Sequence, residues 1–177
     1  MLEFIAQGFG IIGFLCAIAA FQSKKNSGLF LFQAMGCFSF FLNFLLLGVY
    51  SAAFLNISCF LRGILFRKSD KKLWKLIVIE MLLLASVITS IVFFTDSGLE
   101  IALSLMTGIA LIVATYVMWL GNGKHIRYIH LFFASPVWLI HNIIPISFSL
   151  GGILCEVFNM ASAIVSFIRF GKDGFEK

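Results

Sequence analysis

Two stretches of this sequence place polar side chains that could do chemistry inside apolar segments. In the first, Trp138, His141 and Asn142 recur at helical spacing, so they share one face of a helix. In the second, Glu156 and Asn159 lie on one stripe of the following segment. A Glu156–His141 pair would satisfy both groups and could pass a proton, because histidine titrates near physiological pH. These residues are therefore candidates for a binding or proton-transfer site.

A purely structural role is the alternative for the same side chains. Asn and His often join membrane helices through hydrogen bonds worth about 0.6–2 kcal/mol. This alternative has more weight for Asn43 and Asn56 than for His141 and Asn142. An acid within a membrane segment is a functional candidate by default, which favours a functional role for Glu156.

The composition predicts that lipid surrounds the elements that carry these residues. Of 177 residues, 61% are hydrophobic and only 12% are charged, whereas soluble domains average about 25% charged. Apolar runs of membrane-spanning length recur along the chain. They predict an all-α integral membrane protein with seven transmembrane helices, near residues 4–22, 29–49, 52–67, 73–94, 98–120, 127–147 and 150–170.

The basic residues orient these spans. Alternation through seven spans collects all but one of the 13 Lys and Arg residues on one side, which the positive-inside rule assigns to the cytoplasm. Glu3, Asp96 and Glu100 fall on the other side. We therefore expect an outside N-terminus and a cytoplasmic C-terminus. The predicted cytoplasmic set comprises Lys24, Lys25, Arg67, Lys68, Lys71, Lys72, Lys75, Lys124, Arg127, Arg169, Lys172 and Lys177.

The remaining basic residue, Arg62, lies inside span 3. Glu80 in span 4 lies at a similar depth from the cytoplasmic side, so an Arg62–Glu80 structural ion pair is one hypothesis, since unpaired charges in lipid are costly. Snorkelling of Arg62 toward the surface is the other.

The four cysteines lie within apolar segments without metal-ligand spacing, so we expect them to pack between helices as small apolar side chains.

The topology contains a repeat. Spans 1–3 and spans 5–7 each begin outside and end in a basic cytoplasmic segment, and span 4 links them, which is a layout found among transporters. The predicted units are a first triple-helix bundle (1–72), a linker helix (73–96) and a second triple-helix bundle (97–177). An offset of 103 residues superposes Lys24 on Arg127 and Asn56 on Asn159.

This 3+1+3 plan, with Asn56 and Asn159 in the third helix of each bundle, resembles the SWEET and PQ-loop transporter superfamily. The stretch FQSKKNSG at 21–28 is similar to the end of helix 1 and the lysine-rich loop of PQ-loop proteins. Gln22 takes the place of the glutamine, and Phe21 stands where the proline would be. The resemblance implies a central pocket faced by the two asparagines.

A second resemblance, to the YgjV-type bacterial inner-membrane family, covers most of the chain. Its marks are LLLGVY at 45–50 followed by Asn56, W-x-I-H-N at 138–142, GG-x-x-x-E at 151–156 and IRF at 168–170. This resemblance implies a multi-pass protein of the bacterial inner (cytoplasmic) membrane and names no solute.

The leading functional hypothesis is a transporter that alternates access to a midplane pocket between the two bundles. The predicted solute is a small sugar-like or nucleoside-like molecule, because amides both donate and accept hydrogen bonds and an indole stacks on a ring. The predicted pocket residues are Asn56, Trp138, His141, Asn142, Glu156 and Asn159.

Two other functions remain as alternatives. One is a receptor or scaffold of the same fold without transport. The other is an intramembrane enzyme with Glu156 and His141 as acid and base. No second acid, catalytic serine or metal cluster in the sequence supports an enzyme, so we expect none.

No cofactor or metal is expected. The expected partners are the solute, membrane lipids and, as an option, further copies in a homo-oligomer. Nucleic acid is not expected, because the basic residues sit in short clusters between apolar runs.

Overall fold

The computed structural model describes residues 2–68, 70–145 and 148–170, and the regular elements in these ranges are all helical. Seven helical segments follow one another, the sixth being interrupted by a π-helical turn, and no strand occurs in the described ranges. The segments are α1 (Leu2–Gln22), α2 (Asn26–Leu46), α3 (Tyr50–Phe66), α4 (Leu73–Phe94), α5 (Gly98–Leu120), α6 (Gly123–Ile129) with the π turn (His130–Ala134) and α7 (Ser135–Ile143), and α8 (Leu150–Phe170).

Length and apolar composition qualify α1, α2, α4, α5 and α8 as membrane-crossing helices, and α3 is a shorter apolar helix. The side chains that the bundle leaves outside are large and apolar, as Phe4 and Ile168 show with 87% and 80% exposure. Such a surface is suited to hydrocarbon rather than to water. The predicted all-α membrane class is confirmed, and the described residues contain five helices of membrane-crossing length where seven spans were predicted.

Three predicted segment boundaries differ from those of the structure. Segment 6 begins at Gly123 rather than 127, because the Asn122 side chain accepts hydrogen bonds from Lys124 N and His125 N and caps the helix there. It ends at Ile143, before the predicted 147, because Pro145 holds Ile144 in an extended conformation. Segment 2 begins at Asn26 rather than 29. A hydropathy profile alone does not identify the first turn of a helix when that turn contains polar residues.

The helices pack in a ring. Each segment contacts the next along the chain, α8 closes the ring against α1, and α3 also contacts α5 across the interior. Close approach depends on small residues: a Cβ atom at Gly63 of α3 would lie 2.7 Å from Ala34 Cβ and 2.9 Å from the Phe30 carbonyl oxygen of α2. A mainly aliphatic core that includes Leu29, Leu55 and Leu83 fills the interface between α2, α3 and α4.

Arg127, predicted to lie at the cytoplasmic end of the sixth segment, is fully buried in α6. Its Nη2 donates to the carbonyl oxygens of Phe21 (3.2 Å) and Ser23 (2.8 Å), its Nη1 to Gly123 O (3.0 Å) and its Nε to Ser166 Oγ (3.1 Å). The sequence did not predict this burial, because the acceptors come from three distant parts of the chain. Arg127 therefore joins the end of α1 to α6 and α8.

A second cationic contact orders the connection between α3 and α4. Lys75 Nζ donates to the Asp70 carboxylate and to the Leu65 carbonyl oxygen near the end of α3, the latter at 2.8 Å. Lys72 Nζ lies 3.8 Å from the same carboxylate. The hydrogen bond from Lys75 holds the pKa of Asp70 below its ordinary value. Lys172 and Lys177 of the predicted cytoplasmic set lie outside the described residues.

Candidate functional site

A cavity lies inside the ring, where α1, α2, α3, α5, the π turn, α7 and α8 face one another. It offers about 110 Å³ to the centres of water-sized molecules, enough for several waters at roughly 10–15 Å³ each. The walls are mainly apolar, including Phe40, Phe44 and Trp138. Ten lining side chains carry amide, imidazole, guanidinium, carboxyl or thiol groups: Gln33, Cys37, Asn56, Cys59, Arg62, His130, Asn142, Cys155, Glu156 and Asn159.

Five of the six residues predicted to line a pocket do line this cavity: Asn56, Trp138, Asn142, Glu156 and Asn159. His141 does not. It lines a separate, wider outer pocket of about 390 Å³ between the α2–α3 and α4–α5 turns. Successive helical residues point about 100° apart, so Asn142 turns toward α8 while His141 turns away from it.

This divergence removes the predicted Glu156–His141 pair. His141 Nδ1 contacts Asn142 Oδ1 at 3.4 Å, and no hydrogen bond joins Glu156 to His141 among the described residues. Shared sequence spacing placed both residues on interior faces, but the depth and rotation of α7 against α8 decide which groups meet.

Glu156 is held in a polar corner of the cavity formed by α7 and α8. Asn159 Nδ2 donates to Glu156 Oε2 at 3.3 Å and approaches Cys155 Sγ at 3.5 Å, and Ser135 lies beside the carboxyl. Asn159 is 8% exposed, and its Oδ1 is buried without a hydrogen-bond donor in the described protein. This oxygen is thus an acceptor available to a molecule in the cavity.

Asn142 owes its position to a glycine on α8. A Cβ atom at Gly152 would lie 2.6 Å from Asn142 Cγ and Nδ2, so only a residue without a side chain admits the carboxamide. Ser149 sets the start of α8 against the end of α7: its N donates to Asn142 O at 3.1 Å, and its Oγ accepts from Gly152 N at 3.0 Å.

Asn56 reaches the cavity from α3. Its Nδ2 donates to the Ala52 carbonyl oxygen of the same helix at 2.9 Å. That bond consumes one amide hydrogen and leaves the oxygen for another partner. Asn43, by contrast, is 1% exposed and donates to Ala6 O of α1 at 2.7 Å. It connects two helices and is not among the residues that line the cavity.

Arg62 also lines the cavity, and the hypothesis that it pairs with Glu80 is wrong. No contact within ion-pair distance joins the two among the described residues; instead, Arg62 Nη1 donates to Thr115 Oγ1 at 2.9 Å. The rotation of α3 aims Arg62 into the ring toward α5, where it is only 3% exposed, rather than outward toward α4. Snorkelling is equally absent, since the side chain is buried.

Sequence reasoning missed Gln33 and His130. His130 begins the π turn, in which Ser135 N donates to His130 O, and its Nε2 lies 3.5 Å from Gln33 Nε2. The available signal was Pro136, which lacks an amide hydrogen and lies two residues after the turn. A proline interrupts the regular hydrogen bonds of a helix, and π turns often mark functional sites in helices. No group of three or more His, Cys, Asp or Glu side chains in the described ranges is arranged to hold a metal ion.

A ring of apolar helices around a cavity with buried amide, carboxyl and guanidinium groups defines a multi-pass membrane protein with an internal polar site. The chain belongs to the Imp-YgjV family of bacterial inner membrane proteins, whose family model matches residues 4–174. It is therefore a multi-pass protein of the bacterial inner membrane. No curated protein and no solved structure matches the chain significantly.

Proposed function

We propose that this protein is a transporter of a small polar solute, which binds in the central cavity. The observation that carries the proposal is the convergence of Asn56 from α3 with Asn142, Glu156 and Asn159 from α7 and α8 on one cavity. Buried polar groups without protein partners are costly in a membrane and are expected where a polar molecule binds or passes. Asn159 Oδ1 is such a group.

The proposed mechanism is alternating access between two units, α1–α3 and α5–α8, linked by α4. This is the 3+1+3 arrangement of SWEET-like and PQ-loop transporters, with the N-terminus outside and the C-terminus in the cytoplasm. The order of helix contacts supports it, since α1 meets α8 and α3 meets α5 at the boundary between the units. Rocking of the units about these contacts would open the cavity to each side in turn.

The hydrogen-bonding groups suit a sugar-like or nucleoside-like solute. Asn56, Asn142 and Asn159 supply amide donors and acceptors, and Trp138 supplies an aromatic wall. We propose no catalytic role and no cofactor.

Uptake into proteoliposomes tests the proposal. The purified full chain is reconstituted, and entry of radiolabelled glucose and uridine is measured with Asn159→Ala and the matched control Asn43→Ala, which deletes an amide outside the cavity. We expect Asn159→Ala to lose uptake per folded protein and Asn43→Ala to keep it. Equal uptake by wild type and Asn159→Ala would remove this site. Absence of uptake together with a copurifying protein partner would favour the receptor or scaffold function.

A further inference from the structure

Arg62 is a buried cation that has no ion-pair partner in the part of the chain that the structure describes. Its side chain is 3% exposed and lines the cavity. One of its nitrogens donates to Thr115 Oγ1, a neutral acceptor, and its Nε has no hydrogen-bond partner. No carboxylate of the described residues lies within 4 Å of the guanidinium, and Glu80 acts on it only over a longer range.

A buried guanidinium without a counter-ion is energetically unfavourable in the membrane interior. A guanidinium at this depth costs several kcal/mol unless it is paired or hydrated, and intramembrane arginines typically mark ligand or ion pathways. Glu156, the acid that shares the cavity, is already contacted by Asn159. The cavity therefore has a positively charged end at Arg62, and no negatively charged side chain of the described residues contacts it.

The cavity has a second pole at a distance that fits a small organic molecule. Asn56 precedes Arg62 by six positions on α3, which corresponds to about 9 Å of helical rise. The cavity walls also include apolar and aromatic side chains such as Phe40 and Phe44. A ligand that spans this length meets the guanidinium of Arg62 at one end and the amide of Asn56 at the other, within largely apolar walls.

We propose that the solute is a small organic carboxylate, whose anionic group pairs with Arg62 and whose hydroxyl or ring polar groups meet the amides. This inference rests on the proposed transport function, whose substrate class it narrows. A carboxylate fits better than a phosphate, because one guanidinium balances a monoanion and pairs with it in a two-point geometry. A phosphate dianion would require further cations at the same place.

Equilibrium binding to the purified full chain tests this proposal with matched solutes that differ by one carboxylate. The pairs are orotate with uracil and glucuronate with glucose, and glucose 6-phosphate tests the other anion. We expect the carboxylate of at least one pair to bind roughly thirtyfold or more tightly than its neutral partner. Arg62→Gln should abolish this preference. Arg62→Lys should keep part of it, because lysine retains the charge without the planar fork.

Glu80→Gln is the control, because it removes an acid that interacts electrostatically with Arg62 and does not line the cavity, so it should not weaken the carboxylate preference. If Arg62→Gln does not fold, competition on the wild type replaces it, and benzoate should displace bound orotate or glucuronate where benzamide does not. Equal affinity within both pairs, no binding of any carboxylate, or tighter binding of glucose 6-phosphate than of glucuronate overturns the proposal.

The transport proposal can fail separately. Carboxylate binding that depends on Arg62 without uptake into proteoliposomes would contradict transport and leave the carboxylate site in place. Uptake of glucose or uridine that is indifferent to Arg62→Gln would support transport and overturn the carboxylate site.

Discussion

The carboxamide of Asn142 on α7 occupies the space that a side chain at Gly152 on α8 would need, with 2.6 Å between the Asn142 Cγ and the position of a Cβ. Gly152→Ala should therefore displace Asn142 or separate the two helices. We expect a loss of about 1–3 kcal/mol in stability, as for other overpacked sites. The measurement is thermal unfolding of the purified protein in detergent.

Gly151→Ala is the matched control for that prediction. It makes the same chemical change one position away, where a Cβ would meet its nearest neighbour, Gly10 Cα, at an ordinary 3.5 Å. Its melting temperature should stay close to that of the wild type. Equal melting temperatures for Gly151→Ala and Gly152→Ala would show that the Asn142–Gly152 contact does not determine the packing of α7 on α8.

Substitutions of Asn142 and His141 should have different effects on solute uptake, although the two residues are neighbours in sequence. Asn142→Ala removes an amide that lines the central cavity, whereas His141→Ala changes the outer pocket. Provided that the protein transports a solute, we expect Asn142→Ala to reduce uptake per folded protein about tenfold, the equivalent of one lost hydrogen bond. His141→Ala should reduce it much less. A larger effect of His141→Ala would restore that residue to the site.

Arg127→Gln should be among the most destabilising single changes in the protein. The substitution removes donors to Phe21 O, Ser23 O and Ser166 Oγ, which lie in a buried region. We expect a loss of about 3 kcal/mol or more in detergent unfolding. Lys68→Gln, which deletes the same charge at an exposed position, is the control and should have little effect on stability. A comparable loss of stability in Lys68→Gln would show that the change in net charge, and not the lost hydrogen bonds of Arg127, causes the effect.

Asp70 should make a small, pH-dependent contribution to stability. Its folded-state pKa is lowered, mainly by the hydrogen bond from Lys75, so the contribution is present above the unfolded-state pKa of about 3.9 and is lost as pH falls through the lower folded-state value. Asp70→Asn should lower the melting temperature slightly at neutral pH, and the difference from wild type should vanish in strong acid. A difference that persists or grows in acid would contradict this linkage.

The predicted orientation can be tested by labelling single cysteines in intact cells with a membrane-impermeant maleimide. In a background with the four native cysteines replaced, Asp96→Cys should react from outside. Lys71→Cys should react only after the inner membrane is opened. The reverse pattern would place the basic loops outside and contradict the positive-inside assignment.

The sequence by itself determined that lipid surrounds the protein and how many helical segments the chain forms. Apolar runs long enough to cross hydrocarbon identify lipid-embedded helices, because unsatisfied backbone groups are too costly in a bilayer for other open structures. Polarity within such runs also identified Asn56, Asn142, Glu156 and Asn159 as interior residues, since hydrocarbon does not solvate amides or carboxyls.

The tertiary structure alone decided which interior groups meet. Whether His141 or Asn142 faces α8 depends on how α7 is rotated after the π turn and on the space left by Gly152, and neither follows from spacing on a single helix. The same holds for Arg62, which α3 directs toward Thr115 and the cavity instead of toward Glu80. Side-chain partners across helices depend on rotation and relative depth, and these are set by packing contacts between residues that lie far apart in the chain.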